Sequence, residues 1–130
     1  MEWGYSKLLP TKEQAVIVAQ AKGQPTAELM IAEAVRRIVE AISPDKVILF
    51  GSRARGDARP DSDIDLLVIA RSESPRHQRS AALYGLLSDM LVAMDILVYD
   101  PREVDEWREV RQAFVTTAIR EGTVLYEKQD

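Results

Sequence analysis

A chain of 130 residues with no cysteine fits one domain built on a single hydrophobic core, and it excludes disulfides and thiolate metal sites. The formal net charge of −4 excludes the broad positive field that binds a nucleic-acid backbone, so we expect no long nucleic acid as a partner. No apolar stretch has the length of a membrane span and residues 1–7 lack a signal-peptide pattern, so we expect a soluble, cytoplasmic protein without a membrane partner.

The first part of the chain divides into an N-terminal extension, residues 1–25, and the start of a domain that covers residues 26–130. Within the extension, residues 11–22 are predicted to form a short helix before Gly23-Gln24-Pro25. From Thr26, an N-cap, apolar residues recur at intervals of four, three and four, which predicts a helix with one apolar stripe: Ile31, Val35, Ile38 and Ile42. Ser43-Pro44-Asp45 ends this helix, since the residue before a proline is disfavoured in helical geometry.

The rest of the domain alternates apolar runs with amphipathic segments. Strands are predicted at residues 46–50, 64–70 and 92–99, and an edge strand at residues 124–126. A helical turn is predicted at residues 52–57 and a helix from Ser74-Pro75 to about Leu91, with an apolar side of Leu83, Leu86, Leu87, Met90 and Leu91. A final helix is marked by Trp107, Val110, Phe114 and Ala118 and ended by Gly122. This order predicts an α/β (α+β) fold, a small mixed sheet flanked by helices in a single domain.

A Gly-Ser pair follows the first predicted strand. The missing Cβ of Gly51 lets the backbone bend sharply and approach a phosphate, and Ser52 adds a hydroxyl beside amides that can face an anion. The pair is also compatible with an ordinary turn between a strand and a helix. Arg53 and Arg55 follow the turn, where guanidinium groups match the charge of a triphosphate, although solvated loop cations would have the same pattern.

Acidic residues interrupt two of the apolar strands. Asp63 and Asp65 lie two residues apart, so on a strand both carboxylates project from one face while Ile64 points into the core. A carboxylate within such an apolar run is costly to bury unless it is paired, protonated or bound to a metal, and the same holds for Asp95 in the third strand. A Gly-Ser turn, a ten-residue spacer and an Asp-x-Asp pair together indicate a phosphate cradle joined to a divalent-cation site, and hence nucleotidyl transfer.

Residues 47–99 resemble the DNA polymerase β-like nucleotidyltransferases, in particular the minimal nucleotidyltransferases that act as antitoxins beside a helical HEPN-domain toxin. The resemblance implies that Asp63, Asp65 and Asp95 bind metal and are catalytic, and that Gly51, Ser52, Arg53 and Arg55 bind the nucleotide. It implies Mg²⁺, with Mn²⁺ as a substitute, because the ligand set is all oxygen.

The same resemblance implies a two-ion mechanism. Asp63 and Asp65 hold Mg²⁺ on the triphosphate, and Asp95 joins them at a second ion beside the acceptor hydroxyl, so that the entering and leaving oxygens are both stabilised. ATP is the expected donor, and the expected acceptor is a hydroxyl on a partner protein, such as a tyrosine of the HEPN toxin. The chain is too short to add the acceptor-binding domain of larger nucleotidyltransferases.

Two other functions remain open at this point. The chain could be a non-catalytic antitoxin that neutralises its partner by binding, or an enzyme that modifies a small molecule such as an aminoglycoside. The intact set of acids favours a protein-modifying enzyme, and the lack of an acceptor domain argues against the small molecule. Whether two copies pair as a homodimer is left open. His77, the only histidine, is interpreted as a surface residue, and Trp107 and Phe114 as core or interface residues.

Overall fold

The computed structural model describes residues 26–108, 110 and 114–129, so the helix predicted at residues 11–22 lies outside the described part. The elements run in the order α1 (Ala27–Ile42), β1 (Lys46–Phe50), α2 (Ser52–Arg55), β2 (Ile64–Ile69), α3 (Arg76–Leu86), β3 (Met94–Tyr99), α4 (Pro101–Trp107), α5 (Phe114–Glu121) and β4 (Thr123–Glu127). None of the helices in these ranges combines the length and apolar character needed to cross a bilayer.

Helix α1 follows the predicted pattern. The Thr26 side chain accepts a hydrogen bond of 3.2 Å from the Leu29 amide, as an N-cap does. Of the predicted stripe, Ile31, Val35 and Ile38 are buried, whereas Ile42 in the last turn is exposed. Ser43 ends the helix in a left-handed conformation, with its amide bonded to the carbonyl oxygen of Val39.

The four strands form one mixed sheet in the order β3-β2-β1-β4, which confirms the predicted architecture. β1 pairs antiparallel with β2 and β4, and β2 pairs parallel with β3. In this register Asp65 lies opposite Phe50 on one side and opposite Asp95 on the other. The sheet therefore brings the acids of two apolar strands side by side.

Both faces of the sheet are covered by helices. One buried cluster joins α1 and α3 to one face, through Val35, Ile38 and Leu83 against Leu49, Leu66, Val68 and Ile96. A second cluster joins α5 to the other face, through Val115 and Ala118 against Ile48, Leu67 and Tyr99. Because side chains alternate along a strand, Asp65 shares the second face with Leu67, and Asp95 shares it with Tyr99.

Helix α3 ends five residues earlier than predicted. It stops at Leu86, and β3 begins at Met94 rather than residue 92. Leu83 and Leu87 are buried as expected, but Leu91 is 96% exposed because it lies in the turn that brings the chain back alongside β2. Gly85 lies one residue before this end, but the apolar pattern continues to Leu91, and the predicted helix was therefore too long.

The prediction of one final helix from Trp107 to Ala118 was wrong. Trp107 ends α4, and Phe114 begins the separate helix α5. Asp100-Pro101 directly follows the predicted strand at residues 92–99, and the sequence analysis predicted no helix there. Asp100 is in fact the N-cap of α4, Pro101 is its first residue, and Glu103 completes a capping box with Asp100. The end of the last helix before Gly122 and the edge strand around residues 124–126 are confirmed.

Two side chains of α3 bond to the outer backbone groups of the edge strand β3. The Tyr84 hydroxyl accepts a hydrogen bond of 2.8 Å from the Ile96 amide. The Arg79 guanidinium donates one of 3.4 Å to the carbonyl oxygen of Val98. Residues 96 and 98 alternate with those that bond to β2, so α3 covers the outer side of this strand.

Candidate functional site

The turn after β1 is shaped by Gly51. Its backbone has φ 75° and ψ −157°, a region that is essentially restricted to glycine. A Cβ added at Gly51 would overlap Oδ2 of Asp65. Position 51 therefore has to be a glycine because any side chain there would contact Asp65, a reason that the sequence did not reveal. Helix α2 begins at the next residue, Ser52.

The three predicted acids lie at one end of the sheet. Asp65 is half-buried and Asp95 is exposed beside it on the parallel strand, while Asp63 is exposed just before β2. Burial raises the pKa of the Asp65 carboxyl, and the charges of Asp95 and Asp63 raise it further. The structure thus brings together acids that are 30 residues apart in the chain, from Asp65 to Asp95.

These acids suit a divalent cation in charge and in chemistry. Within the described residues, no three acidic or histidine side chains converge closely enough in this structure to hold a metal ion. The site instead has carboxylates close enough for their charges to disfavour one another, and a bound cation would offset that repulsion. Carboxylate oxygens are the ligands that Mg²⁺ prefers. Asp63, Asp65 and Asp95 therefore fit the ion in donor type, and their assignment as its ligands stays a prediction.

Arg53 links the two halves of the sequence motif. Its guanidinium donates a hydrogen bond of 2.7 Å to the carbonyl oxygen of Ser62, and longer ones of 3.4 and 3.5 Å to those of Pro60 and Arg59. Among the described residues, its buried Nε has no hydrogen-bond partner. Arg53 therefore holds the loop just before Asp63, and its predicted contact with a nucleotide stays a prediction.

The charge of Arg55 acts on the acids. Its guanidinium is exposed and forms a 3.4 Å ion pair with Asp57. Its positive charge lowers the pKa of Asp65, opposite to the effect of burial and of the neighbouring carboxylates. Of the two arginines, Arg55 is thus the one whose charge reaches the acidic group.

Tyr84 is a site residue that the sequence analysis did not single out. Its hydroxyl donates to Oδ1 of Asp95 at 3.5 Å while it accepts from the Ile96 amide. In the sequence it is one polar-tipped residue within an amphipathic helix, and nothing in the pattern distinguishes it. Only the packing of α3 along β3 brings it to Asp95. His77 is exposed, in agreement with its interpretation as a surface residue.

Comparison with known proteins indicates the family and the fold of the chain. A model of the nucleotidyltransferase domain matches residues 30–126. Two proteins of Methanocaldococcus jannaschii have names that propose a protein adenylyltransferase activity. One is 39% identical over 54 residues, which are 42% of this chain and 54% of the relative. The other is 30% identical over 83 residues, which are 62% of this chain and 77% of the relative.

The match therefore spans about half of the first relative (54% of its length) and 77% of the second. Among solved structures, the crystal structure of a proposed nucleotidyltransferase from Sulfolobus solfataricus matches with a TM-score of 0.57. That match has 21% sequence identity and covers 88% of each chain, so it is a likeness of fold.

Proposed function

The chain belongs to the nucleotidyltransferase domain family, and on that premise we propose that it transfers a nucleoside monophosphate to a hydroxyl group of a partner protein. The observation that carries this proposal is the alignment of Asp65 with Asp95 on parallel strands, next to the contact between Gly51 and Asp65. Phosphate cradle and acids are then one site. The proposed donor is ATP, because the names of both M. jannaschii relatives propose adenylyl transfer to protein.

In the proposed mechanism, Asp63, Asp65 and Asp95 hold Mg²⁺. When bound, the ion neutralises charge on the phosphates and on the leaving pyrophosphate. Gly51 lets the triphosphate approach the backbone, and the Ser52 hydroxyl donates a hydrogen bond to it. Arg55 adds a positive charge on the same side of the acids.

Asp95 is the proposed acceptor of the proton. It is exposed, so an incoming hydroxyl can reach it, and its carboxylate is held by Tyr84. The hydroxyl oxygen bonds to the α-phosphorus, the bond from that phosphorus to pyrophosphate breaks, and the proton moves to Asp95. The product is the partner's hydroxyl esterified with AMP.

The described residues form one small domain, so the acceptor has to be held in line by another surface. We propose that a helical partner protein provides it, in the manner of an antitoxin with a HEPN-type toxin. This assignment rests on the resemblance of the motif between Gly51 and Asp95 to minimal nucleotidyltransferases, and the donor base and the partner are open to experiment.

Substitution of the acids tests the enzyme. Asp63→Asn, Asp65→Asn and Asp95→Asn should each abolish transfer of radiolabelled AMP to the partner while the protein melts near the wild-type temperature, since loss of one like charge relieves repulsion. Asp61→Asn, in the same loop and also exposed, is the matched control and should retain activity. Unchanged transfer by Asp65→Asn would contradict the mechanism.

Mass spectrometry of the partner separates the enzyme from a binding module. With ATP and Mg²⁺, the wild type should add AMP to a tyrosine, serine or threonine of the partner, and Asp95→Asn should add none. If the partner binds tightly but stays unmodified, and Asp63→Asn still neutralises it, the chain acts by binding alone.

A further inference from the structure

A cavity adjoins the Gly51 turn on the face of the sheet that carries Asp65. It has a volume of about 280 Å³ and is lined on one side by Phe50, Gly51 and Arg55, and on the other by residues of α5 that include Phe114, Thr117 and Glu121. Its size is just below the range of about 300 to 1,000 Å³ for drug-sized ligands, so it suits one part of a nucleotide. Because Gly51 lines the cavity and is also in contact with Asp65, the cavity lies next to the acidic site.

The walls combine aromatic and polar groups. The rings of Phe50 and Phe114 meet edge to face, with centroids 5.3 Å apart and an angle of 82°. Phe114 is nevertheless 46% exposed, so its ring retains accessible surface on which a flat ligand can stack. Glu121, whose carboxylate also accepts a hydrogen bond of 3.2 Å from Arg120, supplies oxygen atoms that can accept hydrogen bonds from a base or from ribose hydroxyls.

We propose that this cavity binds the nucleoside of the donor nucleotide, with the base against Phe114 and the triphosphate directed past Arg55 toward Asp65. This inference rests on the proposed function and adds to it a specificity-determining surface on α5. The direction follows from the lining: Gly51 and Arg55 both line the cavity and Gly51 is in contact with Asp65, so a ligand that extends along this side of the cavity approaches the acids.

Binding without an acceptor tests the inference, because it separates nucleoside from phosphate. Dissociation constants for ATP and for inorganic tripolyphosphate are measured by calorimetry in Mg²⁺. Phe114→Ala should weaken ATP binding about tenfold, equivalent to about 1.4 kcal/mol, and leave tripolyphosphate binding unchanged. Trp107→Ala, which removes an aromatic residue of similar exposure, 44%, outside the cavity, should change neither constant.

A second variant guards against loss of the fold. Phe114→Leu keeps an apolar contact with Phe50 but removes the ring. If Phe114→Ala does not fold, a folded Phe114→Leu protein should show the same weaker ATP binding and unchanged tripolyphosphate binding. Equal loss of ATP and tripolyphosphate, or no loss of either, overturns the assignment of the cavity. A wild-type protein that binds tripolyphosphate as tightly as ATP also overturns it. A wild-type protein that binds neither ligand overturns the proposed function itself.

Discussion

The Asp65 carboxylate lies so close to Gly51 that it excludes any side chain at position 51. The Gly51 turn and the Asp65 carboxylate come from different strands, paired antiparallel, and the space for a Cβ is taken by Oδ2 of Asp65. The Gly-Ser turn and the acidic pair are thus one structural unit, although ten residues separate them in the sequence.

Gly51→Ala should therefore impair both stability and nucleotide binding. The added methyl group displaces the Asp65 carboxylate, and the backbone conformation costs a non-glycine residue about 1–3 kcal/mol. Gly85→Ala is the matched control: nothing lies within 4 Å of its added Cβ, and it should stabilise α3 by about 0.5–1 kcal/mol. Thermal melts and calorimetry with Mg²⁺ and ATP check both, and wild-type ATP affinity in Gly51→Ala would contradict the contact.

Arg53→Lys should lower the free energy of unfolding even though the charge is kept. An ammonium group cannot reproduce the planar fork with which Arg53 holds the carbonyl oxygen of Ser62. Loss of a hydrogen bond from a charged donor costs about 1.5–3 kcal/mol. Arg55→Lys, whose guanidinium forms only an exposed ion pair, should cost at most about 1 kcal/mol. Urea denaturation compares the two, and equal losses would mean that Arg53 does not hold the loop.

Tyr84→Phe should lower kcat while the KM for ATP stays constant. Without the hydroxyl, Asp95 loses the group that orients it, and one hydrogen bond contributes about 0.5–1.5 kcal/mol, so kcat should fall about threefold to tenfold. Tyr126→Phe, on strand β4 at the opposite edge of the sheet, should leave kcat unaffected. A raised KM with normal kcat would place Tyr84 in nucleotide binding instead.

Asp100→Ala should destabilise the fold at neutral pH, and by less in acid. Its carboxylate is 2% exposed, caps α4 and accepts hydrogen bonds from the amides of Ser72 and Arg102. Replacement of an N-cap residue costs about 0.5–2 kcal/mol. The bonds from Arg102, with that from the Ser72 amide, hold the pKa of Asp100 well below its ordinary value.

The pH dependence follows from that depressed pKa. The ionised Asp100 carboxylate contributes fully to the free energy of unfolding above its ordinary pKa of about 3.9. This contribution is lost as the pH falls from there toward the lower pKa that Asp100 has in the folded protein. The stability difference between wild type and Asp100→Ala should therefore shrink below about pH 4. Denaturation curves between neutral and acidic pH check this, and a difference that is constant with pH would contradict the role of the charge.

The sequence predicted the elements whose signals are local. Strands β1 and β2 and helix α1 have clear apolar patterns and end signals, and the acids in β2 and β3 were unusual enough to mark a site. The end of α3 at Leu86 was missed, because the apolar pattern continued to Leu91 and Gly85, one residue before the end, was not interpreted as an end signal.

Contacts between distant elements were also beyond the sequence. The alignment of Asp65 with Asp95 depends on the parallel register of two strands joined through α3. The roles of Arg53 and Tyr84 depend on backbone groups that only folding brings to them. The position of Arg53 after Gly51-Ser52 suggested that it binds phosphate. Neither its position nor its charge indicated that it would form a hydrogen bond with the carbonyl oxygen of Ser62.

The cover that α3 provides over β3 affects how the protein behaves at high concentration. Edge strands with unpaired amides and carbonyls are templates on which other chains add strands and aggregate. Asp95 is exposed on such an edge strand, where the acceptor hydroxyl of the proposed reaction can reach it. Tyr84 and Arg79 form hydrogen bonds with backbone groups of that strand. The carboxylate of Asp95 is therefore accessible to another molecule, while those backbone groups are not available for intermolecular strand pairing.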